Sequence, residues 1–144
     1  MQRPNVRGIL LAVAVLAAGA CSNDTLSSLT TPTTPTTFTD TFSGTLSKNG
    51  AFTHAFTTAS LGAVTVTILG LQPTSTQIVG LSLGVWNGSA CSTSPATGGS
   101  SSDVATTGSV ISLNASAAGS LCVRLYDVGF ISDPIFYTLQ VTHP

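Results

Sequence analysis

Cysteine and histidine side chains are the groups of this chain whose chemistry is most varied. The cysteines are Cys21, Cys91 and Cys122, and the histidines are His54 and His143. Thiols can form disulfides, bind metal ions or accept an acyl group, and a histidine can act as a base near neutral pH. An odd number of cysteines in an exported chain leaves one thiol for a purpose other than an internal disulfide. A zinc site would need more ligands than two separated cysteines without a nearby histidine.

Catalysis by these groups is not expected. His54 lies between Phe52 and Phe56 on one face of a predicted strand, which favours a partly buried histidine with a hydrogen-bond partner. His143 is near the C-terminus and is expected to be exposed. A serine–histidine–aspartate triad is defined by geometry, which this sequence does not provide. We also predict no Gly-x-Ser-x-Gly nucleophile elbow. A carboxylate pair of the glycosidase type is not indicated by the scattered Asp40, Asp103, Asp127 and Asp133. The sequence therefore predicts a protein that is not an enzyme and needs no cofactor.

Two kinds of side chain are candidates for ligand binding. Asp127 and Asp133 flank a loop whose carboxylates and carbonyls could hold Ca²⁺. Turn formation is the alternative, because aspartate favours turns. Trp86, the single tryptophan, could stack on a sugar ring, or it could pack in the core or between sheets. Arg124 is expected to pair with a neighbouring aspartate on a sheet surface.

The N-terminus has the pattern of an export signal. Arg3 and Arg7 precede the uncharged apolar residues 9–18, a run that is too short to cross a bilayer as a helix. We expect a helical signal peptide over residues 1–20. The segment AGAC (18–21) resembles the lipobox of bacterial lipoproteins, in which a cysteine after small residues is acylated and becomes the new N-terminus. An ordinary secretory cleavage site is the alternative, and in both cases the cut falls before Cys21.

The lipobox resemblance implies that Cys21 carries a lipid that anchors the chain to a membrane, and Ser22 after it implies transport to the outer membrane. Residues 21–37 then form a Ser/Thr/Pro-rich tether, whose few apolar side chains cannot offset the entropy of ordering. We expect this linker to be disordered, and fully extended it would reach about 50 Å. A disordered tail without an anchor is the alternative.

The composition of the remaining residues, 38–144, favours one all-β domain. Charged residues make up 6% of the chain, against about 25% in typical soluble proteins. Cleavage would remove two arginines and change the formal charge from −1 to −3, so nucleic acid is not an expected partner. Apolar residues alternate with polar ones in short runs separated by turn residues. We predict an antiparallel β-sandwich whose strands contain the runs 42–46, 52–56, 64–68, 81–85, 111–113, 121–125 and 137–141.

Three segments between or within these runs have their own predicted structure. Gly70 shifts the apolar alternation of the third strand to Leu69 and Leu71, as a β-bulge does. Asn87-Gly88 is a turn signal. Residues 92–102, STSPATGGSSS, have low complexity and are expected to form a mobile loop.

Five segments, taken in order, resemble bacterial pre-peptidase C-terminal domains: SGTL (43–46), HAFT (54–57), GAVTV (62–66), GSLCVRLYD (119–127) and FYTLQV (136–141). The resemblance implies a β-sandwich of jelly-roll type in an exported protein. Such domains usually accompany secreted peptidases, and some bind calcium, collagen or polysaccharide. We expect the domain to stand alone here, with no catalytic neighbour, and we find no matching cluster of acidic calcium ligands. The resemblance therefore implies the fold and the exported setting, not a binding site.

The cysteine count can be completed from this setting. If Cys21 is acylated, Cys91 and Cys122 remain, and an exported protein permits a disulfide between them. The bridge would close a loop of about 32 residues and contribute about 3–4 kcal/mol. It would also fix the base of the 92–102 segment to the sheet.

Three functions remain open. The first is a non-enzymatic, lipid-anchored module that presents a binding or adhesive surface to a glycan or protein at the bacterial cell envelope. Its expected location is the outer membrane, with a secreted or periplasmic location as the alternative. The second is a structural envelope component that binds another protein by edge-strand pairing. The third is a secreted hydrolase of an unrecognised type.

Overall fold

Strands form where the sequence alternates apolar and polar residues. The computed structural model describes residues 36–144, which belong to one compact unit of the chain. Strand β1 begins at Phe38, the residue at which the sequence predicts the domain to begin. The strands within the described range are β1 (Phe38–Leu46), β2 (Ala51–Thr58), β3 (Gly62–Gln72), β4 (Val79–Trp86), β5 (Cys91–Ser92), β6 (Ser100–Ala105), β7 (Val110–Ala115), β8 (Gly119–Tyr126) and β9 (Ile135–His143).

Predictions for the N-terminus fall on residues that the structure does not describe. These are the signal peptide over 1–20, the lipid attachment at Cys21 and the tether up to residue 35. Between residues 36 and 144, no helix is long and apolar enough to cross a membrane.

Two antiparallel sheets pack against each other, so the predicted β-sandwich is confirmed. One sheet has the strand order β1-β9-β3-β7. The other has the order β2-β8-β4, and β4 pairs along its far side with both β5 and β6. Strands β1 and β2 follow each other in the chain and are the edge strands of different sheets.

Inward side chains from both sheets form the core. Because successive residues of a strand point to opposite faces, one row of each strand is buried and the other meets solvent. On β9 the buried row alternates with the partly exposed Thr138, Gln140 and Thr142. Fully buried apolar side chains include Val64, Val66, Ile68, Leu81, Leu83, Val123, Leu125, Leu139 and Val141.

The predicted bulge in β3 is confirmed. The pairing of β3 with β9 shifts register between Ile68 and Gly70, so Leu69 is the additional residue. Leu71 is buried, as predicted, but Leu69 is 47% exposed, so its predicted place in the apolar row is wrong and Ile68 takes that place. The bulge therefore keeps apolar residues on the core side along the whole of a long strand.

Tyr137 is the largest fully buried side chain of the described residues, and a glycine makes room for it. Tyr137 of β9 lies opposite Gly44 of β1. A Cβ atom on Gly44 would lie 2.6 Å from the phenol oxygen, so a larger residue would displace the ring. The phenol oxygen lies 2.8 Å from Nε2 of His54, which belongs to the other sheet. This hydrogen bond joins the two sheets near their β1 and β2 edges.

Most of residues 92–102 lie in strands or a short 3₁₀ helix, contrary to the loop predicted from their composition. Ser92 pairs with Val85 in β5, and Ser100–Ser102 pair with β4 as part of β6. Between them, Pro95–Thr97 form a short 3₁₀ helix capped by the side chain of Ser94. Low complexity does not prevent this arrangement, because strand pairing uses backbone groups that every serine and threonine supplies.

Gly84 explains why this segment can lie so close to β4. The backbone of Ser92 and Thr93 occupies the space where a Cβ atom of residue 84 would be. Any side chain at that position would push the segment away from the sheet. The small residue on β4 thus determines the path of the chain on the outer face of the five-stranded sheet.

Cys91 and Cys122 form the predicted disulfide, with an S–S distance of 2.02 Å and a Cα–Cα distance of 5.7 Å. Cys122 lies opposite Gly84, and Cys91 lies opposite Trp86. The bridge therefore crosses β4 and fixes β5 to β8.

The double substitution Cys91→Ser/Cys122→Ser is expected to lower the free energy of unfolding by about 2–4 kcal/mol, because the unfolded chain regains the entropy of the closed loop. Denaturant unfolding of the full chain without reductant gives the measurement. Wild-type protein unfolded in the presence of a reductant is the control and should match the double variant. Equal unfolding midpoints for the oxidised wild type and the variant would contradict the expectation.

Candidate ligand-binding site

Trp86 is the last residue of β4, and the turn after it fixes its position. The side-chain oxygen of Asn87 accepts hydrogen bonds from the backbone N–H groups of Ser89 (2.9 Å) and Ala90 (2.8 Å). The predicted turn at Asn87-Gly88 is confirmed, and the chain returns so that Cys91 pairs with Trp86. Because Cys91 is also joined to β8 through the disulfide, the backbone on which Trp86 stands is held on both sides.

A cavity of about 350 Å³ opens beside Trp86. Val85 and Trp86 line it from β4, Thr97 and Gly98 from the 3₁₀ segment, and residues 113–121 from the end of β7 and the beginning of β8. Val85 is 41% exposed and Trp86 is partly exposed. Val85 thus departs from the predicted inward row, because the strand reaches the end of the sandwich and its side chain meets the cavity.

The lining of the cavity is uncharged. Its polar side chains are the hydroxyl groups of Thr97, Ser116 and Ser120 and the amide of Asn114. None of these groups is a general acid or base near neutral pH. An indole ring with apolar neighbours and a few hydrogen-bonding groups suits a neutral ligand that has an apolar face and polar edges. We call this cavity the Trp86 cleft.

His54 lies between the two sheets, outside the Trp86 cleft. Its ring stacks on Phe42 with a centroid distance of 4.7 Å, and its Nε2 shares the hydrogen bond with Tyr137. Burial lowers the pKa of His54 and raises the pKa of Tyr137. The histidine is partly buried and hydrogen-bonded, as the sequence predicts. Its hydrogen-bond partner within residues 36–144 is the tyrosine and not an aspartate.

His143 is buried, which contradicts the exposure expected near the C-terminus. Strand β9 continues to His143 because its backbone pairs with Phe38 of β1. The imidazole Nε2 lies 3.2 Å from Oδ2 of Asp40, and the two side chains are 6% and 46% exposed. The sequence missed this pair because more than a hundred residues separate its members.

The Asp40–His143 pair lines a second cavity, of about 330 Å³, together with Phe38 and residues 57–59. Thr58 is the buried hydroxyl of that group. It donates to the backbone carbonyl oxygens of Ser60 (2.9 Å) and Pro144 (3.0 Å). The Thr58 hydroxyl therefore holds the backbone at Pro144. Among the described residues, no serine, threonine or cysteine side chain is hydrogen-bonded to His143.

Asp127 has the hydrogen bonds of a turn-forming aspartate. Burial acts to raise its pKa, but four backbone N–H donors outweigh that effect and lower the pKa. These donors, at 2.7–3.2 Å, are Asn49, Gly129, Phe130 and Ile131. Asp133, the other calcium candidate, accepts from the hydroxyl of Ser132 at 3.3 Å. In residues 36–144 there is no group of three or more acidic, histidine or cysteine side chains that could hold a metal ion, so the geometry adds no support for calcium.

The sequence predicts that Arg124 pairs with a neighbouring aspartate, and this prediction is wrong. Arg124 stacks on Tyr126 instead. Its guanidinium carbon lies 5.0 Å from the centre of the phenol ring. Within residues 36–144, the one contact of salt-bridge length joins His143 to Asp40, and neither arginine nor lysine takes part in it. Asp103 accepts a hydrogen bond from the hydroxyl of Tyr126, the residue on which Arg124 stacks.

Contrary to the argument from sequence, the chain does contain a Gly-x-Ser-x-Gly segment, Gly80-Leu81-Ser82-Leu83-Gly84. The segment lies wholly within β4, so no strand-to-helix turn exposes the serine. Ser82 is 2% exposed, and its hydroxyl has no hydrogen-bond partner among the described residues. The two glycines are required by close packing on the outer face of the sheet, and the spacing is not that of a nucleophile elbow.

No protein-family model matches the chain, and a search of curated proteins finds no match. The resemblances to a lipobox and to pre-peptidase C-terminal domains therefore stay predictions.

The substitution His54→Gln is expected to make the stability of the protein less sensitive to acid. Burial lowers the pKa of His54 in the folded state below its usual value of 6.5, so at lower pH the unfolded chain binds more protons than the folded chain. This contribution to stability is complete above about pH 6.5 and is lost as the pH falls through the lowered pKa. Glutamine keeps a polar partner for Tyr137 and does not titrate.

Urea unfolding at about pH 7.5 and about pH 5 measures the effect. The wild type should lose more free energy of unfolding between the two pH values than His54→Gln does. An equal or larger loss in the variant would show that His54 is not responsible for the acid sensitivity.

Proposed function

We propose that this chain is an exported, lipid-anchored and non-enzymatic β-sandwich that binds a neutral carbohydrate through the Trp86 cleft at the bacterial cell envelope. The observation that carries the proposal is the partly exposed indole of Trp86 in an uncharged cavity of about 350 Å³. The cavity is of a size that small ligands occupy in proteins.

The chemistry of the lining favours a sugar over a charged ligand. A pyranose ring has an apolar C–H face that packs on an aromatic ring, and hydroxyl groups at its edges. Trp86, Val85 and Leu113 supply apolar surface, and Asn114 and Ser116 supply neutral hydrogen-bonding groups. A charged ligand would lose hydration in this cleft without meeting an opposite charge.

The absence of titratable groups in the lining supports binding without catalysis. Glycoside hydrolysis requires a pair of carboxyl groups on either side of the scissile bond. The lining has none. The Asp40–His143 pair lines a separate cavity, and Asp40 is the single carboxylate of that lining.

The proposed location follows from the N-terminal sequence. A lipid on Cys21, followed by a Ser/Thr/Pro-rich tether, would hold the sandwich at a distance from a membrane and leave the Trp86 cleft free to meet a ligand. The disulfide between Cys91 and Cys122 agrees with an oxidising compartment. A secreted or periplasmic protein is the outcome if Cys21 is not acylated.

A structural role is the second candidate, and the edge strands favour it. Strands β1 and β2 are nine and eight residues long, and each pairs with a strand of its own sheet on one side. Edges of this length can accept a strand from another protein. Under this alternative the ligand is a protein, and the Trp86 cleft has no ligand of its own.

The substitution Trp86→Ala is expected to weaken the binding of a neutral oligosaccharide at least about tenfold, because buried aromatic anchors commonly contribute 2 kcal/mol or more. Since the chain has one tryptophan, its fluorescence reports on the cleft directly. The full chain is titrated with hexasaccharides of glucose, mannose and N-acetylglucosamine, and calorimetry compares the variant with the wild type.

Phe136→Ala is the matched control, because Phe136 is 47% exposed and lies on β9, outside the cleft lining. It should bind as the wild type does. If none of the sugars changes the fluorescence of Trp86, the carbohydrate proposal fails and the structural role is favoured.

Cys21→Ser is expected to abolish incorporation of radioactive palmitate into the chain and to release it from the membrane fraction, because a serine cannot form the thioether that carries the lipid. Cells that express either the wild type or the variant are labelled and fractionated. Cys91→Ser/Cys122→Ser is the control and should still be labelled. Wild-type protein without label would establish ordinary secretion and would leave the Trp86 cleft unaffected.

A further inference from the structure

The cavity of about 330 Å³ beside the β1 and β2 edge strands has no part in the proposed sugar binding. Phe38 and Asp40 line it from β1, where alternate residues point to the same face. His143 of β9 and residues 57–59 complete the lining. The lining contains one carboxylate and neither arginine nor lysine. We call this place the Asp40 cavity.

The carboxylate of Asp40 has acceptor capacity that the protein does not use. Its Oδ2 lies 3.2 Å from Nε2 of His143, whereas Oδ1 makes no hydrogen bond to any described residue. An ionised carboxylate can accept about four hydrogen bonds. The side chain of Asp40 is 46% exposed, so a ligand can reach it from solvent.

The imidazole of His143 holds this carboxylate in place. Its ring contacts the rings of Phe38 and Phe56, with centroid distances of 6.0 and 5.4 Å. Its Nδ1 lies 3.3 Å from the backbone carbonyl oxygen of Pro144. The histidine side chain is 6% exposed and both of its nitrogens face protein acceptors, so it positions Asp40 and does not itself meet a ligand. A carboxylate that is already oriented loses less entropy when a ligand binds.

The ring of Phe38 gives the cavity an aromatic surface beside the negative charge. Phe38 is 50% exposed, and its ring is stacked on that of His143 with an interplanar angle of 27°. The face of an aromatic ring attracts a cation through its quadrupole. An accessible carboxylate and an aromatic face in one cavity favour a ligand group that is positively charged and attached to carbon.

Other aspartates of the described residues do not offer this combination. Asp127 accepts four backbone N–H groups, and Asp103 accepts the hydroxyl of Tyr126. Neither of them, nor Asp133, lines the Asp40 cavity or the Trp86 cleft.

We infer that the Asp40 cavity binds the ammonium group of an organic amine, such as a simple amine or an amino sugar. Asp40 Oδ1 accepts a hydrogen bond from the ammonium, and the ring of Phe38 packs against the charged group and its carbon atoms. Hydrogen bonds between two ionised groups are stronger than those between neutral groups.

An ammonium suits the cavity better than other cations do. Ca²⁺ takes six to eight oxygen ligands, and residues 36–144 contain no group of three or more side chains that could hold a metal ion. A guanidinium binds best when it meets both oxygens of a carboxylate, but Oδ2 of Asp40 already accepts from His143. A single available oxygen matches a single N–H donor.

The Asp40 cavity and the Trp86 cleft share no lining residue. They lie at the same end of the sandwich, because Thr58 of the Asp40 cavity pairs with Gly119, which lines the cleft. The inference does not depend on the proposed binding of neutral sugar, and either can fail without the other.

The test uses NMR spectroscopy of the full chain labelled with ¹⁵N, at neutral pH. The probes are ethylammonium, glucosamine, N-acetylglucosamine, tetramethylammonium and Ca²⁺, all as chlorides where charged. Ionic strength is kept constant, because salt screens such contacts. We expect ethylammonium and glucosamine to shift the backbone amide signals of Asp40, Thr58 and His143 in a saturable manner.

The relative affinities identify the source of the ammonium. Tighter binding of glucosamine than of ethylammonium supports an amino sugar, and equal or weaker binding supports a simple amine. The inference is overturned if neither amine shifts these signals, or if N-acetylglucosamine, which has no charge, acts as well as glucosamine. It is also overturned if tetramethylammonium, which has no N–H group, or Ca²⁺ binds more tightly than both amines.

Asp40→Asn should weaken binding of the better amine at least about tenfold, because it removes the charge and keeps the shape of the side chain. Asp133→Asn is the matched control, since it removes the same charge from an exposed residue outside the cavity. It should bind as the wild type does. An equal loss in both variants would show general attraction to a negatively charged protein and would overturn the inference.

Phe38→Leu is an independent variant that leaves the carboxylate and its bond to His143 in place. It should weaken binding about twofold to fivefold, because leucine keeps apolar surface but has no aromatic face. Phe136→Leu, on the outer face of β9, is its control and should bind as the wild type does. Unchanged binding in Phe38→Leu would contradict the role of the ring.

Discussion

The buried phenol of Tyr137 needs a hydrogen-bond partner, and the way this need is met relates the two sheets to each other. An unpaired hydroxyl in the core would cost about 1–3 kcal/mol. His54 provides the partner from the opposite sheet, at 2.8 Å. Gly44 provides the space on the neighbouring strand, since any Cβ there would meet the phenol oxygen. Strands β1, β2 and β9 are thus positioned by one contact, and the apolar rows of β3, β4 and β8 can pack behind it.

Strand β4 has a different constraint, because both of its faces are covered. Leu81 and Leu83 are buried in the core, and Ser82 is equally buried on the outer face. Gly80 and Gly84 allow Tyr126 and the Ser92–Thr93 backbone to approach. The strand therefore supports the Trp86 cleft at its C-terminal end, while its central residues are covered on both faces.

Local patterns predict the sandwich but not the contacts that define its sites. The alternation of Val64, Val66 and Ile68 and the shift at Gly70 need information from a single strand, and the structure confirms both. The burial of His143 depends on Asp40 at the other end of the domain, and no local pattern reports such a pairing. The prediction that Arg124 pairs with an aspartate is wrong for a related reason, because the contacts of Arg124, Tyr126 and Asp103 join different strands.

The composition of residues 92–102 gives a wrong prediction because backbone contacts determine their structure. The serine-rich residues 92–102 have the composition of a loop, yet a glycine on the neighbouring strand lets their backbone lie against the sheet. A signal existed in the sequence, since Gly80 and Gly84 flank a serine inside an apolar run. Glycines four residues apart on a strand lie on the same face, and a glycine inside a strand often marks a place where another part of the chain approaches closely.

The disulfide affects when the Trp86 cleft reaches its final structure. It joins the short strand after the Trp86 turn to β8, and so it fixes one wall of the cleft. In a newly made chain whose thiols are still reduced, that wall would lack its covalent attachment. For an exported protein, the cleft would then be completed by oxidation after the chain has left the cytoplasm. Under the proposed function, ligand binding would therefore begin only after the chain has reached an oxidising compartment.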